Sequence, residues 1–409
     1  MKTLKIANDV YWLGVQDHDL EVFDIVMETK YGTSYNSYLI KGSEKTALVD
    51  TAKYKYVEQY IDKVSSLVSL NQIDYLIVHH TEPDHAGSIE KMLELNPNLT
   101  IVASPVAINY LKNIVNTTFN TYPVKGGDTL SLGDKTLNFI SAPNLHWPDT
   151  IYSYLEEEHL LFTCDSFGSH YAFDEVLMSK LPASQNEAYL DALYQYYVPI
   201  FSPFKSFVIK AIELISNLEI KMICPGHGPV LDDRVEEVVN TYKQWSTLEQ
   251  CHEKSVVICY TSAYGYTQLM AKTIEENILA ENLNVKVYAY DLNVKNYEAL
   301  KPIVLEQIKT ADALLIGAST INRDAVAIVW DLLANLSPIV HGGKIGAAFG
   351  SYGWSGEAPD YVHARLEQLK FKVLDPVKVC FKPTEEKLES SKMLGQRVGR
   401  CVEAGKLVD

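Results

Sequence analysis

The sequence has no Cys-x-x-Cys pair, although it contains six cysteines in 409 residues. Their scattered positions favour free, mostly buried thiols, which is typical of a cytoplasmic protein. Cys164 and Cys224 lie close in sequence to candidate metal ligands. Because each continues an apolar stretch, we interpret both as core residues rather than ligands.

Basic residues are also scarce: 36 lysines and arginines stand against 52 aspartates and glutamates, for a formal net charge of −16. Proteins that bind nucleic acid usually carry basic patches, so we expect no nucleic-acid partner. No apolar run reaches the ~18 residues of a membrane span, and the first residues, MKTLKIANDVYWLG, lack the apolar core of a signal peptide. The sequence therefore predicts a cytoplasmic protein without a membrane partner.

The two halves of the chain differ in their pattern. Up to about residue 250, short strands alternate with turns and a few helices, and SYNSYLI, KGSEK and TALVDT predict a hairpin. From SVVICY (255–260) onward, apolar strands alternate with helices, which indicates a doubly wound parallel sheet. The junction is expected within WSTLEQCHEKS (245–255). We therefore expect an α/β chain with domains at 1–252 and 253–409.

Polar side chains follow four apolar strands of the first half. DYLIV (74–78) leads into HHTEPDHAGS, and three further runs end near His146, Asp165 and His227. Ligands bind at the carboxyl ends of strands in open sheets. The candidate ligands are His80, Glu82, Asp84, His85, His146, Asp165 and His227. Because one metal needs three or four protein ligands, seven indicate two metals that share a bridge.

Three neighbouring residues receive other interpretations. His79 directly precedes the motif, but strand alternation points it away from His80, so we expect a packing or supporting role. Trp147 and His170 are possible pocket residues near the metals. For Trp147, simple core packing is an equal alternative, and for His170 an ordinary hydrogen-bonded loop histidine is the alternative.

The spacing H-x-[HE]-x-D-H, followed by a distant His, Asp and His, resembles the metallo-β-lactamase superfamily, and TALVDT fits the early strand of that fold. In its zinc hydrolases the second motif position is usually histidine, whereas this chain has Glu82. Carboxylate-rich ligation shifts a site from zinc toward iron or manganese. With HWPD, CDSFG and PGHGP, the motif resembles the flavodiiron proteins, also called A-type flavoproteins, over essentially the whole chain.

This resemblance implies a metallo-β-lactamase-like αβ/βα sandwich followed by a flavodoxin-like doubly wound sheet. It also implies two iron ions, with Asp165 as the bridge. One iron would take His80, Glu82 and His146, and the other would take Asp84, His85 and His227. In some members of the family the residue that matches His85 is not bound to metal, so its ligation stays open.

Three loops of the second half indicate an FMN site. YTSAYGYTQLMA follows the first strand, offers hydroxyls and backbone N–H groups beside a helix N-terminus, and resembles the flavodoxin phosphate loop T-x-x-x-G-x-T. GASTIN and FGSYGWSGE occupy the later positions that flavodoxins use for the ring. The candidate FMN residues are Thr261, Ser262, Ala263, Tyr264, Gly265, Tyr266, Thr267, Ser319, Thr320, Ile321, Asn322, Ser351, Tyr352, Gly353, Trp354 and Gly356.

The middle loop departs from the family pattern. Ser319 stands where the family usually has proline, and Arg323 and Asp324 replace small residues. These departures bear on the flavin potential and on partner contacts rather than on FMN binding itself.

The resemblance implies an oxidoreductase that passes electrons through FMN to the diiron site and reduces dioxygen to water, nitric oxide to nitrous oxide, or both. The alternative is a dizinc hydrolase fused to a flavodoxin-like domain, against which Glu82 and the flavin loops argue. A third interpretation is an electron carrier whose first domain is only a scaffold, against which the intact ligand set argues.

The resemblance also implies partners. With neither a Cys-x-x-Cys module nor an NAD fingerprint, electrons would come from a separate donor: a rubredoxin-like protein, a flavin reductase or an NAD(P)H oxidoreductase. The family arrangement is a head-to-tail homodimer, with a tetramer as the alternative.

Overall fold

A computed structural model of the chain describes residues 3–247, 253–281 and 284–408. By internal contacts the chain divides into two compact units, residues 1–248 and 249–409. The boundary predicted at 252/253 falls outside the described residues and stays a prediction. No helix within the described ranges is both long and apolar enough to cross a membrane.

The first unit is built on two β-sheets. Its strands are β1 (Leu4–Ala7), β2 (Val10–Trp12), β3 (Val15–Asp17), β4 (Val22–Phe23), β5 (Met27–Glu28), β6 (Thr33–Tyr35), β7 (Tyr38–Lys41), β8 (Thr46–Val49), β9 (Tyr75–Val78), β10 (Thr100–Ala103), β11 (Asn120–Pro123), β12 (Thr129–Ser131), β13 (Thr136–Ser141), β14 (Ile151–Leu155), β15 (Leu160–Cys164) and β16 (Met222–Pro225). One sheet has the order β1-β2-β7-β8-β9-β10-β11, and the other has the order β12-β13-β14-β15-β16.

Helices cover the outer faces of both sheets. They are α1 (Val57–Ser65), α2 (Pro83–Ala86), α3 (Ile89–Leu95), α4 (Pro105–Ile114), α5 (Asn186–Ile200), α6 (Lys205–Ile215) and α7 (Val235–Ser246). One apolar core lies under α1, α3 and α4, and a second lies under α5, α6 and α7. A third core, which includes Trp12, Tyr38, Phe139 and Phe162, joins the facing sides of the sheets. The first unit is therefore an αβ/βα sandwich.

Parallel pairing brings the ends of the ligand-bearing strands to one edge of the sandwich. Strand β9 runs parallel to β8 and β10, and β15 runs parallel to β16. Strands β9, β15 and β16 are almost entirely buried, so polar side chains first occur where these strands end.

The hairpin predicted from SYNSYLI and TALVDT forms between β7 and β8, but its first strand is shorter than expected. The chain breaks at Asn36 and Ser37, and residues 33–35 pair with β3 instead. The reason is that the Asn36 side chain donates to the carbonyls of Pro225 and Gly228, 2.9 Å away in each case, which takes this residue out of a regular ladder.

The second unit is a doubly wound sheet of order β18-β17-β19-β22-β23, with β24 also paired to β22. Its strands are β17 (Ser255–Tyr260), β18 (Lys286–Asp291), β19 (Ala313–Gly317), β20 (Thr320–Ile321), β21 (Asp324–Ala325), β22 (Ile345–Tyr352), β23 (Lys372–Val373) and β24 (Val377–Cys380). Its helices are α8 (Tyr266–Ala280), α9 (Tyr297–Thr310), α10 (Ala327–Ala334), α11 (Pro338–His341), α12 (Ala358–Gln368) and α13 (Glu385–Ala404). All pairings of the main sheet are parallel, as predicted.

Candidate metal centre and flavin cavity

Four side chains form the first of two adjoining ligand groups at the edge of the sandwich. The ligand atoms of His80, Glu82, His146 and Asp165 all lie within 4.8 Å of one another. Glu82 Oε2 is 3.0 Å from His80 Nε2 and 2.9 Å from His146 Nε2. The first sheet supplies the first two residues, at the end of β9. The second sheet supplies His146 from the loop after β13 and Asp165 directly after β15.

The second group consists of Asp84, His85 and His227. His227 Nε2 lies 3.0 Å from Asp84 Oδ2, and His85 Nε2 lies 3.4 Å from the same oxygen. Pro83 begins the short helix α2, which turns Asp84 and His85 toward the second sheet, and His227 follows β16.

Asp165 faces both groups with different oxygens. Its Oδ2 is 3.5 Å from Nε2 of His80 and 3.5 Å from Nε2 of His146. Its Oδ1 is 2.9 Å from Nε2 of His85 and 3.4 Å from Nε2 of His227. A carboxylate in this position can bind one metal with each oxygen.

Hydrogen bonds from behind orient two of the imidazoles. His80 Nδ1 lies 3.3 Å from Asp149 Oδ1, while the other Asp149 oxygen accepts from the backbone N–H of Thr81. His227 Nδ1 donates to the carbonyl oxygen of Ser34 at 2.6 Å. Such outer contacts fix the ring and leave Nε2 for a metal. Asp149 belongs to the HWPD motif, but its support of His80 was not predicted.

The buried carboxylates raise the pKa of three ligand histidines. Burial opposes protonation of His80, but hydrogen bonds to Asp149 and Glu82 outweigh it and raise the pKa to about 10. The pKa of His85 rises to about 9 and that of His227 to about 10, in both cases against burial, because Asp84 and Asp165 lie beside them. Positive charge stabilises the buried carboxylates, and metal ions would supply that charge in place of the protons.

Polar atoms without partners show that a metal fits this cluster. Among the described residues, Asp84 Oδ1 and Asp165 Oδ2 are buried without a hydrogen bond. An unpaired buried carboxylate oxygen is costly unless a cation binds it. With imidazole nitrogens and carboxylate oxygens in both groups, the donor set suits iron.

The structure places the remaining candidates of the metal site at its walls. Trp147 packs edge-on against His80, with ring centroids 5.0 Å apart, and the His170 ring lies 5.4 Å from that of His227. Burial lowers the pKa of His170 well below its usual value, so this imidazole is neutral. His79 points away from the cluster, as strand alternation predicted, and contacts Asp50 and Ser153.

The hairpin of β4 and β5 beside the cluster was not predicted. Phe23 is buried, and its ring lies 4.3 Å from that of His170 and 5.4 Å from that of His227. Burial and the neighbouring Glu82 raise the pKa of Asp24 to about 6. The hairpin therefore forms part of the metal-site wall, and its tip exposes Ile25 and Val26.

In the second unit, the loop after β17 and the start of α8 form a hydroxyl-rich cradle. Thr267 Oγ1 lies 3.0 Å from Ser351 Oγ and 3.3 Å from Ser319 Oγ. Gly265 caps α8 with a φ of +80°, and Ser262 accepts from the N–H of Gln268. Thr261 Oγ1 is buried without a partner among the described residues. A phosphate at this helix N-terminus would satisfy it.

A cavity of about 360 Å³ adjoins this cradle. Its lining includes eleven of the sixteen candidate FMN residues: Ala263, Tyr264, Tyr266, Ser319, Thr320, Ile321, Asn322, Ser351, Tyr352, Gly353 and Trp354. Gly356 lies next to the Tyr352 ring, where an added Cβ would come within 2.7 Å of a ring carbon. Aromatic side chains in this lining suit a flat aromatic ligand, while the individual FMN contacts stay a prediction.

Phe381 also lines the cavity and was missed. It follows β24, and its N–H donates to the carbonyl of Tyr352 at 2.7 Å. Arg323, one of the departures from the family pattern, forms the tip of the β20–β21 hairpin with a φ of +65°. Its guanidinium lies 3.1 Å from Glu357, and Asp324 accepts from the Trp330 indole. Arg323 and Asp324 therefore follow the cavity-lining residue Asn322 in a hairpin outside the phosphate cradle, whereas Ser319, the third departure, lies in the cradle beside Thr267.

Fold and sites together define a two-domain metalloflavoprotein, and comparisons with known proteins agree. A model described as an ODP family beta lactamase matches residues 33–228, and the flavodoxin model matches residues 258–395. These matches confirm the predicted fold class.

Relatives are similar over almost the entire chain. The flavo-diiron protein FprA2 of Clostridium acetobutylicum is 36% identical over 98% of this chain and 100% of its own. A nitric oxide reductase of Moorella thermoacetica is 34% identical over 96% of this chain and 97% of its own. The solved rubredoxin oxygen:oxidoreductase of Desulfovibrio gigas superposes with a TM-score of 0.64 at 30% identity, covering 99% of both chains. The chain belongs to the flavodiiron proteins.

Replacing Glu82 with alanine should remove one metal. The first group would lose the one carboxylate that it does not share with the second group, and would keep two imidazoles and a shared carboxylate oxygen, the minimum of three ligands, so this metal should be held much more weakly. Iron per chain, measured by plasma emission spectrometry, should fall by about half. Glu90→Ala, a change of the same type at an exposed position of α3, is the control. A Glu82→Ala chain that retains the parent's iron content would refute Glu82 as a ligand.

Replacing Thr261 with valine should weaken FMN binding without destabilising the FMN-free chain, because the hydroxyl has no partner there. A hydrogen bond to a charged group contributes about 1.5–3 kcal/mol, so the FMN dissociation constant should rise at least roughly tenfold. Fluorescence titration measures this constant. Thr273→Val is the matched control, since the Thr273 hydroxyl bonds only within α8, to Leu269. An unchanged affinity in Thr261→Val would contradict the proposed phosphate position.

Proposed function

We propose that this chain is a flavodiiron oxidoreductase that takes electrons through FMN to a non-haem diiron site and reduces dioxygen to water, nitric oxide to nitrous oxide, or both. The observation that carries the proposal is the orientation of Asp165, whose two oxygens face different pairs of imidazoles. A flavin cavity on the same chain supplies the means of feeding electrons to such a centre.

The residues of the first unit would hold two irons through separate sets of donors. His80, Glu82 and His146 would bind one iron, and Asp84, His85 and His227 the other, with Asp165 as the bridge. His85 is included because its Nε2 faces the oxygens of both Asp84 and Asp165. FMN and two ferrous irons together store four electrons, which matches dioxygen reduction to two waters, and two electrons suffice for two nitric oxide molecules.

The protein's own part is to position the ligands and restrict access. Asp149 and the Ser34 carbonyl hold the His80 and His227 rings, so that their Nε2 atoms face the cluster. Phe23 and Trp147 place aromatic surface against the ligand histidines, which limits the water around them. Glu82 and His146, the most exposed of the ligands, mark the side from which a small molecule enters.

A dizinc hydrolase fused to a flavodoxin-like domain is the less favoured function. Three of the seven ligands are carboxylates, and a hydrolase has no use for a flavin cavity. The solved rubredoxin oxygen:oxidoreductase and the related nitric oxide reductase are redox proteins by name.

For electron supply and assembly, we infer a separate donor, such as a rubredoxin-like protein, a flavin reductase or an NAD(P)H oxidoreductase, and a head-to-tail homodimer. Two exposed apolar features support the dimer. Tyr264, Trp354 and Phe381 at the flavin cavity are 84%, 80% and 62% exposed, and Ile25 and Val26 at the metal-site hairpin are 93% and 79% exposed. Exposed apolar side chains, and exposed aromatic ones above all, are typical of protein–protein interfaces.

The two features complement each other functionally. If the hairpin of one copy packs on the flavin rim of a second, each metal site faces a flavin of the other chain. A tetramer made of two such dimers would keep the same contact.

The cofactor content tests the reaction class. The purified chain should contain two irons and one FMN, and its reduced form should consume dioxygen, nitric oxide or both in anaerobic turnover assays with a reduced donor. Assays with each gas separately determine the preference. A chain with two zincs and no flavin absorption would refute the proposal in favour of the hydrolase.

The double variant Ile25→Asp/Val26→Asp should break the dimer. A buried charge without a partner costs about 3 kcal/mol or more, which raises the dimer dissociation constant roughly 100-fold. Sedimentation velocity measures the assembly, and stopped-flow absorbance measures reoxidation of the flavin by the gas, which should slow in parallel.

Val294→Asp is the control for this variant, because Val294 is 87% exposed but lies at neither feature. A parent chain that is monomeric and fully active would refute the head-to-tail dimer.

A further inference from the structure

A buried imidazole connects the two sheets of the sandwich directly behind the metal cluster. His79, at the end of β9 in the first sheet, is fully buried. Its Nδ1 lies 2.9 Å from Asp50 Oδ2, and its Nε2 lies 2.8 Å from Ser153 Oγ on β14 of the second sheet. A backbone hydrogen bond also joins the two sheets at this point. The N–H of Ile151, on β14 of the second sheet, donates to the His79 carbonyl at 3.0 Å. Both nitrogens of this ring therefore have partners, and neither partner is a candidate metal ligand.

Each polar side-chain atom of the network has a partner. Asp50 Oδ1 accepts from the His79 backbone N–H at 2.8 Å, and Oδ2 lies against Nδ1 of the ring. The Ser153 hydroxyl lies against Nε2 and has no other hydrogen bond among the described residues. The ring is therefore held at both nitrogens, which fixes its orientation between the two sheets.

The network is anchored at the aspartate end. Asp50 follows β8, and its carbonyl accepts from Ser37 Oγ at 2.9 Å and Tyr60 OH at 3.3 Å. The next residue, Thr51, donates its backbone N–H and its hydroxyl to the carbonyl of His85. Asp50 and Thr51 are thus hydrogen-bonded to the His79 ring and to the backbone of His85, a candidate ligand of the second group.

The other end of the network is in the sheet that carries the remaining ligands. Ser153 pairs with Phe162 of β15, and that strand leads directly to Asp165. A contact from His79 to Ser153 therefore links the strand that ends at His80 to the sheet that delivers the bridging carboxylate.

We propose that His79 is a positioning residue which, with Asp50 and Ser153, sets the distance between the ligands of the two sheets and thereby the retention of the bridged metal pair. The inference rests on the proposed diiron centre and adds to it a buried Asp–His–Ser network whose side-chain hydrogen bonds go to no candidate metal ligand. Rigid linkage of this kind matters because a bridging carboxylate binds both metals only over a narrow range of separations.

The rate of iron loss tests this role. The iron-loaded full chain, in its reduced form, is mixed with a ferrous chelator, and the coloured complex is followed over time. Ser153→Ala removes only the cross-sheet hydrogen bond and should release iron about tenfold faster, as expected when an outer support of a metal site is lost. Asp50→Asn keeps the side-chain size but changes the hydrogen-bond pattern at Nδ1, and it should also release iron faster than the parent. This variant replaces Ser153→Ala in the test if Ser153→Ala does not fold.

Tyr154→Phe is the matched control, since it deletes a hydroxyl from the neighbouring position of β14, where Tyr154 donates to the Glu219 carbonyl at 2.7 Å. This variant should release iron at the parent's rate, whatever its thermal stability. Iron release by Ser153→Ala at the parent's rate, or equal acceleration by Tyr154→Phe, would overturn the proposal. A parent chain that contains no iron would instead refute the proposed function.

Discussion

The bridging position of one carboxylate is the constraint on which the metal site depends. Asp165 comes from the second sheet, yet its oxygens face histidines from both sheets: His80 and His85 from the first, His146 and His227 from the second. The sandwich does this by bringing the ends of β9, β15 and β16 to the same edge. The fold thus converts residues far apart in sequence into one cluster.

Burying this cluster is unfavourable unless its charges are balanced. Three carboxylates and four imidazoles lie close together, and the carboxylates raise the pKa of His80, His85 and His227. A buried anion that lacks a partner is strongly destabilising, so the carboxylates are stabilised by protonated imidazoles or by metal cations beside them. Hydrogen bonds to the Asp149 carboxylate and the Ser34 carbonyl orient the His80 and His227 rings in advance, which reduces the entropy that metal binding would otherwise have to overcome.

Apolar runs in the sequence indicated where the buried strands before His79, Asp165 and His227 end, and the structure brings the seven candidate ligands together at these ends. Metal binding by each of them stays a prediction. The same reasoning directed His79 away from the cluster. The same sequence reasoning missed Phe23, because its strand is only two residues long and shows no alternation of apolar and polar residues. It missed Phe381 because the placement of β24 beside β22 depends on long-range pairing, and it treated the break at Asn36 as continuous strand.

Magnetic coupling between the two metals is the most direct measure of the central claim. A Mössbauer spectrum of the oxidised, iron-57-loaded full chain should show quadrupole doublets without magnetic splitting at low temperature, because two ferric ions that Asp165 would hold as a bridged pair would couple antiferromagnetically to a diamagnetic ground state. Magnetically split spectra of isolated high-spin ferric ions, in a chain that holds its full complement of iron, would contradict a bridged pair.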